Sequence, residues 1–178
     1  MFETDEDGTV VENGLIAVVR GIIFDKDKIL NDHLTLEEVA DWTNGDAFNG
    51  MVPLLKSKIY KRTMDLDKEI MPLSVCYIER VYIYPKYRKQ GFGKYIFENL
   101  CDIFEHCFNV TMHCFYIYPN PQYPVSKTDA NSVSWDDLEE NKGKMKKLMI
   151  SGLQKTGYRR LGNNTEYYAL NCAADTTV

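Results

Sequence analysis

Residues 75–108 read VCYIERVYIYPKYRKQGFGKYIFENLCDIFEHCF, and the fold turns on them. Val75 to Ile83 is dense in β-branched and aromatic side chains, as a mostly buried strand should be. Tyr84-Pro85 ends it, because proline has no N–H to give to a ladder. A turn rich in glycine and positive charge follows, Arg88-Lys89-Gln90-Gly91-Phe92-Gly93-Lys94. Beyond it Ile96, Leu100, Ile103 and Cys107 recur at helical spacing, with Phe97, Cys101, Phe104 and Phe108 as a second stripe beside them. Lys94, Glu98, Asp102 and Glu105 keep to the opposite side, so the segment reads as a helix with a broad buried face.

A glycine turn between a buried strand and a helix suits an anion. The first N–H groups of a helix have no partner within it and point along the positive end of its dipole. A phosphate is stabilised there. Gly91 and Gly93 remove Cβ atoms that would hold a pyrophosphate away from the backbone, and Arg88, Lys89 and Lys94 add positive charge. The turn is not a P-loop, which needs a glycine where Arg88 stands and a Ser or Thr where Tyr95 stands. A dinucleotide fingerprint needs a further glycine at Ile96. The plainer alternative is a helix start that needs glycine only for packing.

These residues resemble the central motif of the GNAT N-acetyltransferase superfamily: Arg or Gln, two residues, Gly, one residue, then Gly or Ala, after the fourth strand. Arg88-Lys89-Gln90-Gly91-Phe92-Gly93 fits every defined position, and Ile83-Tyr84-Pro85-Lys86-Tyr87 resembles the usual approach. The resemblance implies an α/β (α+β) fold with a mixed, mostly antiparallel central sheet flanked by helices. It implies acetyl-CoA as co-substrate, its pyrophosphate on the amides of Arg88, Lys89, Gln90, Gly91, Phe92, Gly93 and Lys94. The pantetheine arm would lie along Val81, Tyr82 and Ile83. The resemblance covers about Val75 to Asn171 well. The first half resembles members with a helical insert before the cofactor strand.

The composition sets bounds on the rest. The chain has 178 residues, enough for one ordinary domain spanning 1–178, with the acidic, polar stretch Met1 to Asn13 expected to be frayed or a short edge element. A formal charge of −5 speaks against an electrostatic nucleic-acid binder. No apolar run approaches a membrane span, and Met1 leads into acidic residues rather than a signal peptide, so the expected location is cytoplasmic. A homodimer is compatible with all of this. Cys76, Cys101, Cys107, Cys114 and Cys172 form no Cys-x-x-Cys pair, and their odd number argues against a disulfide framework. His106-Cys107 and His113-Cys114 do not make a metal site, since Cys101 and Cys107 sit about 240° apart on a helix. Buried free thiols and no metal are the expectation.

Elsewhere, Leu15 to Phe24 reads as a strand in which Gly21 marks a bulge or a turn, and Ile29-Leu30 as the start of another. Thr35-Leu36-Glu37-Glu38 is a capping box. Asn44-Gly45 should stop that helix, and Asp46 to Lys58 should hold a second one, started or interrupted by Pro53. Val110 to Tyr118 reads as a strand with Val110, Met112, Cys114, Tyr116 and Tyr118 on one face and His113, Phe115 and Ile117 on the other. Residues 119–134 form a loop of a length that is often functional, and it should border the acceptor. A helix, stopped at Gly157, and a hairpin over Gly162 to Thr165 end the chain.

Acetyl transfer to an amine needs a base, a donor for the thioester carbonyl and a proton for the thiolate. Glu79 is the base candidate; it interrupts an apolar strand, shares a face with Tyr77, Val81 and Ile83 by simple alternation, and partial burial would raise it from about 4. The alternative is a structural carboxylate paired with an arginine from the next strand. The backbone N–H near Val81 would serve the carbonyl. The family's proton-donor tyrosine aligns with Leu153, so Tyr116 or Tyr118 would have to substitute. His113 reads as a structural histidine. The function implied is direct acetyl transfer in a ternary complex to a primary amine, on a small molecule or a peptide, with no nucleic acid or membrane partner. A non-catalytic acyl-CoA sensor or scaffold is the alternative.

Overall fold

The computed structural model describes residues 2–4, 10–61, 74–110, 112–120 and 135–172. Strands β1 (Phe2–Thr4) and β2 (Val10–Leu15) pair with each other in a small antiparallel sheet. The main sheet has five strands: β3 (Ala17–Phe24), β4 (Ser74–Ile83), β5 (Met112–Ile117), β6 (Arg159–Arg160) and β7 (Tyr168–Asn171), in the spatial order β3-β4-β5-β7-β6. Among the described strands only the β4–β5 pair is parallel. This is a GNAT-like mixed sheet, mostly antiparallel. Helices α1 (Lys26–Asn31), α2 (Leu36–Thr43) and α3 (Gly45–Lys56) lie between β3 and β4 in the chain, so the helical insert precedes β4. Helices α4 (Phe92–Glu98) and α5 (Leu100–Phe108) join β4 to β5, and α6 (Trp135–Lys155) precedes the final hairpin.

The sheet has two buried faces. Val75, Tyr77, Cys114, Tyr116 and Ala169 pack with Ala40, Ala47, Met51 and Leu54 of α2 and α3. Cys76, Ile78, Phe115 and Ile117 pack on the other side with Ile96, Leu100 and Phe104 of α4 and α5. Burial on both faces explains why β4 and β5 read as nearly continuous apolar runs.

Two bulges change the side-chain alternation that the sequence predicts. In the β3–β4 ladder Arg20 faces Arg80 but Gly21 faces Ile78, which makes Glu79 the extra residue. A Cβ on Gly21 would come within 2.7 Å of the Tyr77 carbonyl oxygen, so glycine permits the close approach there. The extra residue moves Val81 and Ile83 to the α4–α5 face, opposite Tyr77. In the β4–β5 ladder Ser74 faces Met112 and Val75 faces Cys114, which makes His113 the extra residue. Met112 therefore packs with Phe115 and Ile117, not with Cys114 and Tyr116.

Other expectations are corrected locally. Ile29-Leu30 belongs to α1, not to a strand; Asp25 caps that helix by accepting from the Lys28 N–H at 3.2 Å. Asn44 ends α2 and its side chain then opens α3, accepting from Asp46 N–H at 2.7 Å. Pro53 lies inside α3 without ending it. The helix after the glycine turn divides at Asn99, whose side-chain amide donates to the Tyr95 carbonyl at 2.8 Å. The cysteines are not all buried thiols. Cys101 and Cys172 form a disulfide across 71 residues of sequence, with Cα atoms 6.1 Å apart, and Cys107 is exposed; Cys76 and Cys114 are buried and take no part in a disulfide. Burial pushes the Cys76 thiol up to about 12. Residues 121–134 of the loop expected at the acceptor lie outside the described residues.

Gly50 shows how tightly α3 sits on the sheet. A Cβ there would meet Tyr167 Cδ1 at 2.6 Å and Tyr116 Cε2 at 2.7 Å. Neither ring can swing away freely, because Tyr116 donates to the Ala47 carbonyl at 2.9 Å and Tyr167 to the Asp46 carbonyl at 2.8 Å. Overpacking costs roughly 1–3 kcal/mol and outweighs the ~1 kcal/mol that alanine gains in a helix once a hydrogen bond worth about 1 kcal/mol is also disturbed. Gly50→Ala is expected to lower the unfolding free energy in urea by about 1–3 kcal/mol. An unchanged urea midpoint would refute this account of the packing.

Candidate active site

The site begins where β4 and β5 part. Their pairing runs from Ser74 to Ile78 on β4, and β5 ends at Ile117, while β4 continues to Ile83. Beyond Ile78 the β5-facing edge of β4 has no strand partner among the described residues. The register says which groups face that edge. Tyr84 N–H donates to the Ile16 carbonyl at 3.0 Å, so Tyr82 and Arg80 are the residues of β4 that bond to β3. Val81 and Ile83 lie between them, and their main-chain groups point the other way, into the gap. Arg88 Nε occupies one of these groups, donating to the Ile83 carbonyl at 2.9 Å.

At the end of this open edge the chain enters the glycine turn. Lys89 and Gly91 both have positive φ, 61° and 90°. Gly91 is the N-cap of α4 and no side chain caps the helix there. A Cβ on Gly91 would meet nothing within 4 Å, so the space beside Gly91 at the start of α4 is open. Gly93 has a different job: its Cβ would come 3.2 Å from Ile83 Cδ1, so its smallness lets the helix start pack on β4. Arg88 also stacks over the Tyr82 ring, 5.5 Å from its centroid, and Gln90 Nε2 donates to the Lys86 carbonyl at 2.8 Å. Lys94 is mostly exposed and pairs with Glu98 at 3.6 Å. Uncapped amides, a positive dipole end and nearby guanidinium and ammonium groups together suit a phosphate-bearing ligand. Phe92 packs edge-on to Tyr87 and anchors the turn to the core.

Glu79 projects on the α3 side. Its Oε2 accepts from Arg20 Nε at 2.8 Å and its Oε1 from Asn44 Nδ2 at 3.1 Å. The carboxylate side chain is 18% exposed, whereas Arg20 is 74% exposed. The bulge delivers this side chain to the α3 cap, and the partner arginine comes from the neighbouring strand.

Next to the α3 cap a cleft of about 480 Å³ is lined by Asp46, Asn49, Pro53, Tyr118, Glu166 and Tyr167, among others. Tyr118 donates its hydroxyl to Glu166 Oε2 at 2.8 Å, and Lys146 of α6 donates to Glu166 Oε1 at 2.7 Å. The hydrogen bond to Glu166 raises the Tyr118 pKa, and the bond from Lys146 lowers that of Glu166. Tyr118 and Tyr167 stack with centroids 5.2 Å apart.

The two tyrosine candidates are separated by this arrangement. Tyr116 is fully buried, its hydroxyl is given to the Ala47 carbonyl, and burial drives its pKa strongly upward; it is a core residue. Tyr118 lines the cleft. Leu153 is buried among the residues packed on α4 and α5, as is Tyr158, whose hydroxyl has no hydrogen-bond partner among the described residues. His113 is buried in the sheet at its bulge. The sequence reading missed Asn44, Asp46, Lys146 and Glu166. Only Arg20, a charge interrupting an apolar strand just as Glu79 does, carried a local signal.

No curated protein and no solved structure matches the chain. Residues 59–122 match the model of the acetyltransferase (GNAT) family. The matched segment contains β4, the glycine turn, α4, α5 and β5, the elements that build the open edge and the turn at its end. This segment is thus similar to the acetyltransferase (GNAT) family, and the mixed sheet around it is GNAT-like.

Proposed function

We propose that the protein transfers the acetyl group of acetyl-CoA to a primary amine by direct attack in a ternary complex. The observation that carries this reading is the continuous path from the unpaired edge of β4 at Val81 to the uncapped start of α4 at Gly91. Its residues fit the co-substrate: the edge offers main-chain groups to an amide-bearing arm, and the turn offers amides and Arg88 to a pyrophosphate. When bound there, acetyl-CoA would supply the activated acyl group. Val81 N–H would donate to the thioester oxygen as negative charge develops on it. Glu79, held by Arg20 and Asn44, would take the proton that the attacking amine sheds. Tyr118 keeps its proton because Glu166 accepts it in a hydrogen bond, and it is the group proposed to protonate the departing thiolate.

The alternative is an acyl-CoA-binding domain without turnover. The buried Leu153 in the family's tyrosine position is the observation on its side. Thiol release from acetyl-CoA, measured against a panel of primary amines, separates the two. Amine-dependent release is expected. Acetyl-CoA binding without release for any amine would leave the non-catalytic reading standing.

A further inference from the structure

Strand β3 lies at one end of the main sheet, bonded to β4 on one side and to no strand among the described residues on the other. The pairing of β1 with β2 stops at Leu15, short of β3. The ladder to β4 fixes which main-chain groups face outward. Val18 and Arg20 stand opposite Tyr82 and Arg80, the residues that bond β4 to β3, and the extra residue of the bulge belongs to β4, so alternation along β3 is unbroken. Ala17, Val19, Gly21 and Ile23 therefore turn their main-chain groups to the open edge. The side chains along it are apolar and reach solvent: Val18 is 40% exposed, Val19 37% and Ile23 40%. Edge strands are commonly blunted by proline, lysine or a bulge of their own, and β3 has none of these. Its one charge, Arg20, is drawn toward β4, where it pairs with Glu79 at 2.8 Å.

We propose that two copies of the chain associate through β3, antiparallel and centred on Gly21, joining their main sheets into one continuous sheet. The occupant follows from the strand's own sequence, AVVRGIIF, which is self-complementary about a two-fold axis. With Gly21 opposite Gly21, Val19 of each copy faces Ile23 of the other and Val18 faces Phe24, so the whole strand is used. Val19 and Ile23 lie on the α4–α5 face beside Val81 and Cys76, and their two cross-strand pairs extend that apolar face over the join. Other registers are poorer. Centring on Arg20 sets two like charges opposite each other, and centring on Ile22 sets Val19 opposite Asp25. Centring on Val19 or Ile23 carries the pairing into β2 or into α1. The inference uses the sheet edge alone and stands apart from the acetyl-transfer reading. The plainer alternative is a monomer whose edge stays hydrated, since single exposed valines are ordinary on a surface.

The test follows the full chain by sedimentation velocity over a concentration series, with amide hydrogen exchange measured at the same concentrations. A species of twice the 20.6 kDa chain mass is expected to grow with concentration. Exchange at Val19, Gly21 and Ile23 should slow as it does, because the outward amides become bonded. Val19→Glu places two carboxylates without partners in the join and should raise the dimer dissociation constant by about tenfold or more. Ile23→Lys should do the same, and it is the second variant in case the first folds poorly. Combined in one chain, the two substitutions set a carboxylate opposite an ammonium in each pair and should restore most of the lost affinity, which reads the register directly. A monomer at every concentration overturns the proposal, whether its edge stays hydrated or takes a strand from a different protein. So does a dimer that neither single substitution weakens, a dimer that a non-reducing gel shows to be held by Cys107, or a double variant that associates no better than either single one.

Discussion

Glu79→Gln is expected to lower the rate of acetyl transfer by roughly 10²–10⁴-fold, the usual worth of general-base catalysis, while leaving the fold and acetyl-CoA binding in place. Glutamine matches glutamate in size. It retains an oxygen that can accept from Arg20 Nε or Asn44 Nδ2, so the α3 cap stays fastened to the β4 bulge. What it cannot do is take a proton from an ammonium. The effect should therefore appear in kcat and in kcat/KM together, with little change in acetyl-CoA affinity. The measurement is turnover per folded molecule, with the folded fraction taken from a thermal melt. Unchanged turnover combined with a lower melting temperature would assign Glu79 to structure alone, as the carboxylate that joins β3, β4 and α3. Arg20 then makes a useful comparison. It is mostly exposed, and a surface ion pair contributes at most about 1 kcal/mol, so Arg20→Ala should cost little stability in either case.

The part of the fold that was legible is the part written in local chemistry. Pro85 after an apolar run, glycines at 91 and 93, and apolar stripes at helical spacing each have one physical meaning, and β4, the turn and the helices after it lie where those signals put them. The capping box at Thr35 is there as well, with the reciprocal Glu38 bond to the Thr35 N–H at 2.8 Å. What alternation could not supply is the effect of one extra residue. Gly21 marks the bulge in the β3–β4 ladder, but which residue of β4 is the extra one is a decision of the ladder, as is the bulge between β4 and β5, and nothing in β4 or β5 alone announces either. For this reason Glu79 appeared to share a face with Val81 and Ile83, when the bulge sends those two to α4 and α5.

The cleft beside α3 was hidden for another reason. Asp46, Tyr118 and Glu166 come from the start of α3, the end of β5 and the loop before β7, and only the folded sheet brings them to one cleft. Asn44 is an intermediate case. As half of Asn44-Gly45 it was readable as the end of a helix. Its second role, opening the next helix and holding Glu79, depends on α3 turning back over the sheet. The Cys101–Cys172 pair shows the same limit: spacing along the chain carries no record of which thiols meet across 71 residues.

The turn itself is tested by Gly91→Val. Saturating acetyl-CoA is expected to raise the melting temperature of the wild type, since a ligand at 100 times its Kd adds about 2.7 kcal/mol to the folded state. For Gly91→Val that rise should vanish. Two effects act on the variant and they can be told apart. Gly91 has φ 90°, a region where a β-branched residue is strained by roughly 1–2 kcal/mol, so the unliganded protein should melt somewhat lower. Yet the added Cβ meets no protein atom within 4 Å. The fold should therefore survive, with the new side chain crowding the start of α4, where the pyrophosphate is proposed to bind. Gly91→Asn is the control for strain, since asparagine tolerates positive φ; it should melt close to wild type and still lose much of the acetyl-CoA shift. Should Gly91→Val gain the same stabilisation from acetyl-CoA as the wild type, the open start of α4 is not where the pyrophosphate binds, and Gly91 serves only the turn.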